Sequence, residues 1–113
     1  MSYQIVILVE NLDASRYFYR EVLQLGPVTL DSNYRVVFEL SPDLALVLEK
    51  CTAGFMEHAS GATRFAFECG DVPSLAERLR KDGGELSDPF EWLGRTAYRG
   101  SDPDGNVFIV IGK

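Results

Sequence analysis

The chain writes one order of elements twice, and that repetition restricts the fold more than any single motif. Tyr3 to Val9 is rich in β-branched residues and predicts a buried strand. NLDASRYFYREVLQLG follows as a helix, with Asn11 or Asp13 as N-cap and Gly26 as stop. Pro27 bars any continuation. Ala14, Phe18, Val22 and Leu25 recur at helical spacing with Tyr17 beside them, which predicts one apolar face. Strands then fit Val28 to Asp31, Tyr34 to Leu40 and Leu44 to Glu49, with Ser41-Pro42-Asp43 as the last turn. The pattern restarts with a strand over Arg64 to Cys69 and a helix in GDVPSLAERLRKDGG. Val72, Leu75, Ala76 and Leu79 share one face of that helix. Short strands fit Glu85 to Ser87, Arg95 to Arg99 and Val107 to Ile111. A shift of about sixty residues sets Val9 on Cys69, Asn11 on Asp71 and Leu12 on Val72. The expectation is a single α+β domain of two βαβββ modules, 1–49 and 63–113, joined by a connecting loop, 50–62.

A helix covers only one face of a curved sheet, so the other face of each module must meet its twin, a ligand or a second chain. Alternation along a strand sorts the residues. Ile5, Ile7 and Val9 are expected under the first helix, and Phe65, Phe67 and Cys69 under the second. The uncovered faces then carry Gln4, Val6 and Leu8 in one module and Arg64, Ala66 and Glu68 in the other. Val107, Ile109 and Ile111 join the second set if the last strand presents its odd positions, and alignment of the turns makes Leu44, Leu46 and Leu48 their counterparts in the first. On that parity Glu49 points toward the helix unless a bulge intervenes.

Composition narrows the partners. A net charge of −6 and a pI near 4.7 argue against nucleic acid, which needs a basic surface. Cys51 and Cys69 lie in different segments without metal-type spacing and read as reduced thiols. MSYQIVILVENLD lacks the features of a signal peptide, and no apolar run approaches the roughly 20 residues that span a bilayer. A cytoplasmic location without membrane association is the expectation.

Three stretches, VENLDASRYFYREVLQLG, FAFECGDVPSLAERLRKDGGE and GRTAYRGSDPDGN, together resemble the vicinal oxygen chelate superfamily. That superfamily includes glyoxalase I, extradiol dioxygenases and bleomycin resistance proteins. The likeness runs from about Gln4 to Val110, and it implies curved mixed sheets around a cup. It also implies a divalent metal held by the first strand of each module and the last strand of each module. Matched residue by residue, those positions are Gln4, Arg64, Leu46 and Ile109. A catalytic zinc keeps three protein ligands, yet Gln4 offers one neutral oxygen, Arg64 is a permanent cation, and Leu46 and Ile109 offer nothing. The expectation is therefore no metal, no cofactor and no catalytic residues. The resemblance to the bleomycin resistance branch further implies a homodimer that sequesters a small organic ligand.

The candidate ligand-binding residues are Gln4, Leu46, Arg64, Glu68, Trp92 and Ile109. Arg64 could fork onto an anionic group, or serve as an ordinary interface arginine. Glu68, four positions on, lies about 13 Å along the strand. Trp92 and Phe55 could stack on a flat ring or simply pack their loops. His58, the single histidine, reads as a solvated loop residue, and Lys50 to Ala62 as either a mobile flap or a plain linker. DPDGN is turn chemistry. Three functions compete: a metal-independent binder, which leads; a metal-dependent lyase, isomerase or dioxygenase using Gln4, Glu49, Glu68 or His58; and a protein-interaction module.

Overall fold

The computed structural model describes residues 2–50 and 65–112. Arg64, Phe55, His58 and the connecting loop, on which part of the expectation rested, lie outside the described residues. The chain divides into two compact units, Met1–Ser60 and Gly61–Lys113. Each is a mixed four-stranded sheet with one helical element, so the tandem βαβββ order is the observed one.

In the first unit β1 (Tyr3–Val9) leads into α1 (Leu12–Tyr17), whose Asn11 cap accepts a hydrogen bond from the Ala14 N–H at 3.1 Å. The helix then widens into a π-helical turn over Phe18–Val22, closed by the Leu23 N–H donating to the Phe18 carbonyl at 2.9 Å. That widening shifts the apolar stripe. Phe18, Tyr19, Val22 and Leu23 are all buried, whereas Tyr17, expected beside the stripe, is 53% exposed. Strands β2 (Val28–Asp31), β3 (Arg35–Ser41) and β4 (Leu44–Lys50) complete the sheet in the order β1-β4-β3-β2, with β1 and β4 parallel.

Register decides the faces, because residues paired across strands point the same way. Ile5 pairs with Leu46 and Ile7 with Leu48; Phe38 pairs with Leu46 and Val36 with Leu48. This set faces the helix. Tyr19 of the π-helical turn meets Phe38 at a ring separation of 6.3 Å, and Arg16 of α1 donates to Asp31, the partner of Val36, at 2.8 Å. Leu46 and Leu48 are fully buried there. The turn alignment therefore misplaced β4 by one residue: Leu44, Leu46 and Leu48 lie on the helix side. Ala45, Val47 and Glu49 share the helix-free face with Gln4, Val6 and Leu8.

The second unit repeats the design. Strand β5 (Phe65–Cys69) leads into α2 (Val72–Lys81), capped by Asp71, which accepts from the Ser74 N–H at 3.2 Å and the Ser74 hydroxyl at 2.7 Å. Strands β6 (Phe90–Trp92), β7 (Arg95–Ser101) and β8 (Val107–Gly112) follow, in the order β5-β8-β7-β6. The strand expected at Glu85 to Ser87 is absent, and β6 lies just past Pro89. Ser87 still holds β7: its N–H donates to the Arg99 carbonyl and its hydroxyl accepts from the Arg99 N–H, each at 2.8 Å. With the side chain taking the second bond, no ladder propagates.

Phe65, Phe67 and Phe108 cluster at ring separations of 5.9 to 6.2 Å on the α2 side of this sheet, where Leu75 and Leu79 are buried. Such a ring in a filled core is worth about 3–5 kcal/mol against alanine. Between β7 and β8 the buried Asp102 carboxylate organises the turn, accepting from the N–H groups of Asp104 and Asn106 and from the Asn106 side-chain amide at 2.8 to 2.9 Å. Gly105 there takes a φ of +84°, which a side chain would disfavour. Among the described residues, no helix is long and apolar enough to cross a membrane.

Candidate functional site

The functional candidates gather on the face of each sheet that its own helix leaves bare. In the first unit that face is a band of Val6, Val47 and Val37 across three strands, flanked at one end by Gln4, Ala45 and Glu39. Leu8, Glu49 and Arg35 flank it at the other end. Gln4 and Val6 are exposed, and Val47 is buried. Arg35 donates to the Glu49 carboxylate at 2.6 Å, so that carboxylate already has a cation.

In the second unit, Ala66 pairs with Ile109 and Glu68 with Ile111; Ile109 pairs in turn with Arg99 and Ile111 with Ala97. Phe90 pairs with Ala97 and Trp92 with Arg95, so both aromatics share this face. Their rings meet edge to face at 6.5 Å. Arg95 links the elements: it lies opposite Trp92 and donates to Glu68 at 2.6 Å, two strands away. Glu68, Ile109 and Trp92 thus come together on one face, with Ile109 only 1% exposed. Leu46 does not belong to any such face.

A divalent ion of the kind the resemblance implied does not fit these residues. The β4 residue that stands to β1 as Ile109 stands to β5 is Val47, since Val6 pairs with Val47 as Ala66 pairs with Ile109. Both positions are hydrocarbon. Glu49 does reach the helix-free face, but Gln4 is opposite Ala45, four residues or about 13 Å away along the strand. Those two side chains cannot share one ion. Among the described residues, no group of three or more His, Cys, Asp and Glu side chains could hold a metal.

Periodicity missed Val47, Phe90, Arg95 and Arg99. Arg95, Ala97 and Arg99 alternate in the sequence, so β7 had a parity signal, but without the register to β8 nothing said which parity faced α2. Hollows also open in the second unit. One of about 480 Å³ opens on the helix side between Val72 and Ala76 of α2 and Tyr98 of β7. Another, about 560 Å³, lies at the β6–β7 hairpin and is reached by Phe90 and Arg95.

Solved structures share this fold. The antibiotic-binding protein TnmS3 from Streptomyces sp. CB03234 superposes with a TM-score of 0.77 at 20% identity, covering 99% of this chain and 94% of that one. The fosfomycin resistance protein FosX from Mesorhizobium loti superposes at 0.71 with 17% identity, covering 100% and 91%. The oxidase ChaP-H2 gives 0.77 at 14% identity, covering 100% and 93%. No match was found among curated proteins. Duplicated sheets of this order, and a family model that matches residues 3–110, lead to one conclusion: the chain belongs to the Glyoxalase/Bleomycin resistance protein/Dioxygenase superfamily.

Proposed function

We propose that this chain is a metal-independent protein that binds or sequesters a small organic ligand. It works as a cytoplasmic homodimer, with the ligand held against the helix-free sheet faces. The observation that carries the reading is hydrocarbon at Val47 and Ile109, the equivalent positions of the two last strands, where a metal enzyme needs donors. The nearby carboxylates, Glu49 and Glu68, are each engaged by an arginine. TnmS3, described as an antibiotic-binding protein, and FosX, described as a fosfomycin resistance protein, support ligand handling of this kind on this fold. Gln4, Glu68, Trp92 and Ile109 are the proposed contacts, together with Arg64, which lies beyond the described residues.

The test is native mass spectrometry of freshly isolated protein, paired with a thermal-shift panel of planar and amphipathic compounds that includes a bleomycin-type glycopeptide. A metal-free dimer whose melting temperature rises with at least one compound is the expected result. A panel without a single hit overturns the reading. The rival is a metal-dependent lyase, isomerase or dioxygenase, favoured by the turn of Glu49 onto the helix-free face. One Ni, Zn, Mn or Fe per chain by elemental analysis would establish that rival instead.

A further inference from the structure

Among the described arginines, Arg99 is the one whose side chain the fold leaves uncommitted; the Lys50 and Lys81 side chains are also without an ion pair among the described residues, but neither lies on a helix-free sheet face. Arg16, Arg20, Arg35, Arg80 and Arg95 each meet a carboxylate, and Arg78 has an interaction of its own. Among the described residues, the Arg99 side chain makes no hydrogen bond or ion pair, although the chain has 17 acidic residues to 11 basic ones. Even Asp88, next to the Ser87 that bonds the Arg99 backbone, does not form an ion pair with it. The residue is exposed, on the helix-free face, with Ile109 as its partner on β8. Phe90 stands diagonally from it across the β7–β6 pairing, within reach of one ligand ring, and Trp92 lies next along that strand.

We infer that this face recognises a flat aromatic carboxylate, with the Arg99 guanidinium taking the carboxylate and Phe90 and Trp92 flanking the ring. The inference rests on the small-molecule reading above and names its ligand class. A guanidinium presents two parallel N–H donors that match a carboxylate, and aliphatic and aromatic neighbours accept the hydrocarbon body. Glu68 does not oppose the anion, because Arg95 neutralises it on the same face. The overall charge of −6 does oppose it at long range, so attraction must come from this one local cation and fade as salt screens it.

Trp92 is the single tryptophan of the chain, so its emission reports occupancy of this face directly. The experiment measures binding of 2-naphthoate, 2-naphthamide and 2-naphthyl phosphate by calorimetry and Trp92 emission, in the wild type and in Arg99→Gln and Arg99→Lys. The expected result is naphthoate binding roughly tenfold or more tighter than the neutral amide, the usual scale for a hydrogen bond to a charged group. Arg99→Gln erases that preference without moving the melting temperature, and Arg99→Lys keeps part of it. Phosphate binding more tightly than carboxylate, amide binding as tightly as naphthoate, or a preference that survives Arg99→Gln overturns the inference and leaves the binder reading standing. Absence of binding by all three probes also overturns it; absence of binding across the whole thermal-shift panel as well removes the binder reading too.

Discussion

Arg35 on β3 meets Glu49 on β4 at 2.6 Å, cross-strand partners on the face that α1 leaves bare. The contact is a surface one, with the two side chains 52% and 36% exposed, so water screens most of its Coulomb energy. A double-mutant cycle with Arg35→Gln and Glu49→Gln, measured by urea unfolding, is expected to return a coupling of about 0.2–1 kcal/mol that shrinks with added salt. A coupling several times larger, or one indifferent to salt, would mean that the pair is buried by something beyond the described residues.

Gly100 owes its identity to Phe108. A Cβ at Gly100 would stand 2.5 Å from Cζ of the Phe108 ring, itself fully buried against β7 and unable to retreat. Gly100→Ala is expected to cost about 1–3 kcal/mol through overpacking. Gly112→Ala, whose Cβ would meet its nearest neighbours at 3.7 and 3.9 Å, should cost clearly less. Chemical denaturation of both variants checks the order, and equal losses would contradict it.

The same strands show what the sequence could and could not reveal. Element order was legible from the repetition, and the faces of β5 from residues that differ in kind, Phe65 and Phe67 against Ala66 and Glu68; β8, apolar on both faces, carried no such mark. Strand β4 reads Leu-Ala-Leu-Val-Leu, aliphatic on both faces, so hydropathy carries no parity there. The turn before it was the remaining guide, and it misled. Pairing runs Glu39 to Ala45 and then Ser41 to Leu44, an irregularity at the hairpin end, while the second module spends the longer Asp102 to Asn106 turn at the same place. A slip of one residue reverses every side chain in a strand, which is how Leu46 was assigned to the wrong face and Glu49 with it. The π-helical turn had no sequence mark either; its effect, burying Tyr19 and exposing Tyr17, follows from one widened turn. Arg99 escaped notice because an unpaired charge is defined by distances, not by spacing.

Asp102 illustrates a turn residue whose chemistry cannot be replaced by shape. Its buried carboxylate accepts from the N–H groups of Asp104 and Asn106 and from the Asn106 amide. Asp102→Asn keeps the volume but removes the charge and turns one acceptor into a donor facing another donor. The expected loss is about 2 kcal/mol, within the range for hydrogen bonds to charged groups. Thermal or urea unfolding measures it, and an isosteric asparagine that leaves stability unchanged would contradict the assignment of these bonds to the ionised side chain.

The cap of α2 ties stability to acid. Asp71 accepts from the Ser74 hydroxyl and the Ser74 N–H, and the hydroxyl bond is the larger cause of a carboxyl pKa held below its ordinary 3.8. Both bonds favour the ionised form in the folded state over the unfolded chain. With the native pKa depressed, the contribution is fully present above the unfolded value, about 3.9, and drains away as pH falls through the native one. Asp71→Ala should therefore lower the melting temperature at neutral pH and change it progressively less in more acid buffer, while Asp71→Ser, another capping residue, should recover part of the loss with no pH dependence of its own. If the wild type and Asp71→Ala lose stability in parallel between pH 5 and pH 2, the cap is not an ionised one.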